Sequence, residues 1–121
     1  MYLVPSNRTP QQDSEKIIQR YMLRLQSLLR ENLARLGYAD RTFALELEGG
    51  VPKVHVVRSA DPDTSFHDPD YVGRWVRILN GVNRAGFATF ARGEALLVFA
   101  EIHRMLPDAT IDPATDFVGG A

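Results

Sequence analysis

The run Leu96-Leu97-Val98-Phe99-Ala100 decides how this chain folds. Two periods compete around it. Ala95, Phe99, Ile102 and Leu106 would line one face of a helix, whereas five consecutive apolar residues suit a strand buried on both faces. Periodicity does not separate the two, so length and punctuation arbitrate. The run is short and Gly93 stands just before it, which favours a buried central strand within residues 94–106. A strand here, following a helical segment, makes the chain an alternation of strands and helices.

The elements upstream fit that alternation. Asp68-Pro69 reads as the cap and first residue of a helix whose apolar face is Val72, Trp75, Leu79 and Val82, with Ile78 beside it. Gly86 is its natural stop. Before it, residues 59–70 form a loop rich in proline and aspartate. Phe43, Leu45 and Leu47 alternate with Thr42, Ala44, Glu46 and Glu48, Gly49-Gly50 marks a tight turn, and Val54 and Val56 resume the alternation as the second strand of a hairpin.

Farther upstream, Thr9-Pro10 with Gln12 reads as a helix start. Ile18, Tyr21, Met22, Leu25, Leu28, Leu29, Leu33 and Leu36 then recur at core-facing helical spacing, which makes Leu25 and Leu29 expected core residues. Gly37 ends a helix about 40 Å long at 1.5 Å per residue. Tyr2-Leu3-Val4 opens the chain as a short strand running into a turn at Pro5-Ser6-Asn7-Arg8. Asp116 to Gly120 adds one more short strand near an edge. The expected fold is α/β: a mixed, largely parallel twisted sheet of about four to five strands packed against two helices, the first one long. With 121 residues and no separating linker, residues 1–121 read as a single domain.

Composition excludes several functions. A net charge of −1, from 14 basic and 15 acidic residues, recruits neither nucleic acid nor an anionic membrane. Zero cysteines remove disulfides, thiolate metal sites and cysteine nucleophiles. No apolar run approaches the roughly 18 residues of a bilayer span. Met1 leads directly into a strand, so a signal peptide is expected to be absent or already removed.

No constellation of residues names a chemistry. His55, His67 and His103 include no i, i+4 pair of the kind that places two imidazoles on one helical face for zinc. His55 and His103 would both lie on or near strands, but polar-face and strand-end positions account for them. Asp61, Asp63, His67, Asp68 and Asp70 crowd one loop without the glycine and distal glutamate of a calcium loop, so turn formation and capping explain them. Lys16, Arg20 and Arg24 form a basic ridge that Glu15 and Glu31 interrupt, and a solvated face is the better reading. Trp75 reads as core, and no serine sits in a nucleophile elbow.

One resemblance spans the chain in order. Tyr2 to Arg8, the helix through Leu36-Gly37-Tyr38, Thr42-Phe43, Lys53-Val54-His55-Val56-Val57-Arg58, Leu96 to Ile102 and Phe117-Val118-Gly119-Gly120 resemble the N-terminal half of bacterial metzincin-like zinc metallopeptidases. In that family this region is a twisted sheet backed by helices, with an edge strand that binds extended substrate. The resemblance implies that Phe117, Val118, Gly119 and Gly120 contact a peptide or protein substrate. It also implies that zinc belongs to the full-length enzyme only, with no metal ligand or catalytic residue among these residues. The family's His-Glu-x-x-His motif occurs nowhere in the sequence, and Ala121 falls where the zinc-binding helix would be approached. The implied partner is the C-terminal remainder of the same enzyme. The implied location is secreted or cell-envelope, or cytoplasmic if the chain is complete as given. The competing reading is a non-enzymatic protein-binding module, a chaperone-like α+β adaptor.

Overall fold

The computed structural model describes residues 1–67, 70–87 and 95–102. These residues fold as a mixed α/β chain with two helices, the first of them long. Two compact units are present: Met1–Pro10 with Val56–Ala121, and Gln11–His55.

The first unit is organised by β1 (Tyr2–Val4), whose three residues are all buried. A strand covered on both faces has to be apolar at every position, and Tyr2, Leu3 and Val4 meet that demand. Two further strands, β4 (Val56–Arg58) and β5 (Phe99–Ala100), flank it in the order β4-β1-β5, both parallel to it. Tyr2 stands opposite both Val56 and Phe99, and Leu3 opposite both Val57 and Ala100. Backbone bonds carry the ladders beyond the strands, from Phe99 N–H to Met1 O (3.0 Å), Glu101 N–H to Leu3 O (3.0 Å) and Ser59 N–H to Val4 O (2.8 Å).

The deciding run is therefore extended. Leu96, Val98, Ala100 and Ile102 alternate onto one side and pack into a cluster with Met1, Leu3, Phe66, Ile78 and Val82. That is a strand's period of two and not a helix's 3.6. Its place differs from the expected central one: among the described residues β1 is the middle strand and β5 lies to one side. The most completely buried strand holds the centre because both of its faces are apolar.

Helix α2 (Tyr71–Arg84) starts two residues later than the sequence suggests. Its cap is Asp70, whose carboxylate accepts from the N–H groups of Val72 (3.3 Å) and Gly73 (3.2 Å); Asp68 and Pro69 lie outside the described residues. The buried stripe is Ile78, Gly81 and Val82, while Val72 is exposed and Trp75 and Leu79 are half-buried. Gly86, at φ 83°, ends the helix by donating to Asn83 O, and Phe87 donates to Val82 O. This is the Schellman pattern, and Phe87 completes it by packing against the Val82 cluster.

In the second unit, α1 (Ser14–Arg35) begins four residues beyond Pro10. A turn at residues 11–13, with Asp13 at φ 57°, occupies the place read as the first helical turn. The same Schellman closure ends α1, with Gly37 donating to Ala34 O and Tyr38 to Leu33 O. The hairpin is shorter than the alternation implies. Only β2 (Leu47–Glu48) and β3 (Val51–Pro52) pair, antiparallel, around Gly49 and Gly50, both at positive φ as a tight hairpin turn requires. The expected second hairpin strand is divided, because its latter part, Val56–Arg58, pairs with β1 instead. The described strands thus fall into a three-stranded parallel sheet and a two-stranded antiparallel one.

The apolar stripe of α1 is the largest departure from expectation. Only Ile18 is buried; Ile17, Tyr21, Leu25, Leu28, Leu29 and Leu36 are exposed. Polar contacts tie another face of the helix to its own unit: Gln19 to Pro52 O (3.0 Å), Gln26 to Phe43 O (2.8 Å), and Thr42 to Gln26 O (3.1 Å). A two-residue ladder and residues 41–46 are too small to cover the wide face of a 22-residue helix.

Candidate functional site

Parallel strands deliver their carboxyl ends to the same edge of a sheet, where α/β proteins place their ligand-binding loops. Here the segments leaving β1 and β4 meet at that edge. Ser6 N–H donates to Asp61 O (3.0 Å), and Arg58 Nη1 donates to Arg8 O (2.9 Å). Their centre is Asp63, a buried carboxylate in the 3-10 turn Asp63–Phe66. Its Oδ1 accepts from Asn7 Nδ2 (2.7 Å), and its Oδ2 accepts from Arg8 Nε (2.7 Å) and Nη2 (2.5 Å). In return, Asp63 N–H donates to Asn7 Oδ1 (2.8 Å).

Burial alone would raise the Asp63 carboxyl. The hydrogen bonds from Asn7 and Arg8, the Arg8 charge and the Thr64 amide outweigh it and hold the group below its ordinary value of 3.8. The clamp therefore keeps a charged carboxylate inside the fold, fully occupied by donors. It is a positioning device, since both oxygens of Asp63 already accept hydrogen bonds.

Beside the clamp lies a concavity of about 140 Å³ lined by Asp61, Ser65, Phe66, Arg77, Asn80 and Arg84. Arg77, Asn80 and Arg84 occupy successive turns of one face of α2. Arg84 Nη1 reaches Asp61 Oδ2 at 2.8 Å. Asp61 N–H in turn bonds Ser59 Oγ (3.0 Å). Two guanidinium groups, a carboxamide and a hydroxyl thus surround one small space with a single carboxylate.

The residues singled out by sequence are dispersed. His55 donates from Nε2 to Glu46 Oε2 at 2.7 Å on the exposed surface of the second unit. That bond, followed by the one from Lys53, lowers the Glu46 carboxyl, and Glu46 in turn raises Lys53. His67 donates from Nε2 to Ile102 O at 2.9 Å, joining the 3-10 turn to the end of β5. His103 and the expected substrate edge, Phe117, Val118, Gly119 and Gly120, lie outside the described residues. Asp61, Asp63 and Asp70 do separate work as an ion-pair partner, the clamp centre and a helix cap. Among the described residues no three His, Asp or Glu side chains gather where a metal ion could sit. The described residues therefore do not fit a catalytic zinc.

One more buried polar pair belongs to the sheet. Tyr2 Oη donates to Glu101 Oε2 at 2.6 Å, linking β1 to the residue after β5. Sequence reasoning misses both this pair and the clamp because their partners are 99 and 55 or 56 residues apart. The face of α2 that carries Arg77, Asn80 and Arg84 is different: its i, i+3, i+7 spacing is visible in the sequence. Comparison with models of protein families, with characterised proteins and with solved structures finds no match to this chain.

Proposed function

We propose that this chain is the N-terminal scaffold and substrate-edge portion of a metzincin-like zinc metallopeptidase, with the zinc-binding helix supplied by protein outside these residues. The order of strand, long helix, hairpin, strand, helix and strand supports the reading. The observation that carries it is the open apolar face of α1, formed by Ile17, Tyr21, Leu25, Leu28, Leu29 and Leu36. A contiguous apolar face on this scale is the mark of a surface that another body of protein covers. In this reading the three parallel strands are part of one larger twisted, largely parallel sheet.

Phe117, Val118, Gly119 and Gly120 then form the sheet edge that takes an extended peptide by strand addition, with the glycines permitting close backbone approach. Any zinc of such an enzyme would be held by protein outside these residues, where it would supply an activated water. This chain's part is to hold the substrate strand in register. A secreted or cell-envelope location belongs to the same reading.

The test is the coding sequence beyond Ala121, followed by an assay. A His-Glu-x-x-His motif within some tens of codons, together with chelator-sensitive peptide cleavage by the joined product, is the expected result. A stop codon after Ala121 overturns the proposal. It would favour the non-enzymatic adaptor, which the open face of α1 also suits, and the isolated chain would then be expected to self-associate or to hold a protein partner through that face.

A further inference from the structure

We infer that the concavity between the 3-10 turn and α2 binds a small oxyanion, a carboxylate or phosphate group, independently of any peptidase role. Donors dominate its lining. Arg77, Asn80 and Arg84 face the same space as the Ser65 hydroxyl, while Asp61 is its one carboxylate. Guanidinium groups present N–H forks that match the paired oxygens of a carboxylate or phosphate, so two of them around one concavity favour such a ligand.

Asp61 orients one of the two. Its Oδ2 holds Arg84 Nη1 at 2.8 Å, and its own backbone is fixed at N–H by Ser59 Oγ and at C=O by Ser6 N–H. The Arg84 fork is thereby anchored at one nitrogen, and its remaining N–H groups can serve a ligand. Phe66, almost wholly buried, supplies an apolar wall.

Size limits the ligand. The space is about 140 Å³. It accommodates the charged head of a small acid or a single phosphate, not a nucleotide. Its position at the carboxyl edge of the parallel strands is where α/β sheets place such ligands. The opposing effect is the negative charge of Asp61, which should keep binding in about the millimolar range.

The experiment titrates the full chain with inorganic phosphate and, separately, with acetate, at fixed ionic strength made up with chloride. Amide and arginine side-chain NMR signals are followed. Saturable shifts centred on Ser65, Arg77, Asn80 and Arg84 are expected, and the tighter-binding ion identifies the source chemistry. Arg77→Gln should weaken binding about tenfold, the loss of one charge-assisted contact. Asp61→Asn, whose amide oxygen can still accept from Arg84, should tighten it about threefold by removing the opposing charge, an effect opposite to that of general structural damage. Shifts that follow ionic strength alone would overturn the inference. So would Arg77→Gln or Asp61→Asn variants that bind as the parent chain does.

Discussion

The two helices end in the same way and are covered in opposite ways. Each closes with a glycine at positive φ and a Schellman pair of hydrogen bonds. In α2 the residue after that glycine, Phe87, packs into the cluster of Met1, Leu3, Phe66, Ile78 and Val82. In α1 the equivalent residue, Tyr38, is exposed, with the Arg41 guanidinium 6.0 Å from its ring centroid. Local signals determine where a helix stops. They do not determine whether anything covers it.

The sharpest way to break this contrast is truncation. Phe66 is 1% exposed in the first unit, and Phe66→Ala should cost about 3–5 kcal/mol by losing burial and leaving a cavity. Leu25 is 45% exposed on α1, and Leu25→Ala should change stability by no more than about 0.5 kcal/mol. Chemical denaturation of both variants is the check. A Leu25→Ala loss approaching that of Phe66→Ala would mean that the α1 face is covered in solution, by a second copy or another surface.

The same contrast explains what the sequence disclosed. A strand within the run, at Phe99–Ala100, was legible because short length, an upstream glycine and an apolar run agree. The helix stops at Gly37 and Gly86 were legible because the left-handed conformation of a C′ residue favours glycine. Pairing was not. Val54 and Val56 alternate correctly for a strand, but alternation does not name the neighbour, and β4 joins β1 across 54 residues of sequence, as Tyr2 and Val56 show. The stripe on α1 identifies an apolar face, and its 3.6-residue period is the same whether that face meets a core or solvent. Leu25 and Leu29 were misplaced for this reason. The Asp63 clamp was illegible because nothing local distinguishes Asp63 from Asp61 or Asp70.

That clamp gives the next largest effect. Asp63→Ala leaves Arg8 and Asn7 without their acceptor inside a largely buried network. Because Arg8 keeps 24% of its side-chain exposure, the loss should fall near 2 kcal/mol, below that for a fully buried pair. The folded-state pKa of Asp63 is depressed, so its contribution is present above the unfolded value of about 3.9. It is lost as pH falls through the lower folded value. Denaturation curves from pH 5 downward should therefore steepen in the parent chain and flatten in Asp63→Asn. Glu46 is also depressed by its partners His55 and Lys53, but it lies on the open surface, where solvent screens the pair. Glu46→Gln should leave the acid limb unchanged. An equal flattening in both variants would show that the two units do not differ in this respect.

The smallest effect tests how closely α2 approaches β1. Gly81 is buried in the last turn of α2, where glycine is disfavoured because it loses more backbone freedom than alanine on folding. A methyl group built there would lie 3.6 Å and 3.8 Å from the two terminal carbons of Leu3. Those are ordinary contact distances, so the methyl would meet Leu3 without displacing it. Gly81→Ala should therefore stabilise the chain by about 0.5–1 kcal/mol, the helical difference between the two residues. The denaturation midpoint should rise with an unchanged slope, since the surface exposed on unfolding hardly alters. Destabilisation would mean that α2 sits closer to β1 than these distances allow, and that Gly81 is there to permit the approach. The result bears on the comparison of the helices, because only α2 has its glycine-sized contact with a strand to test.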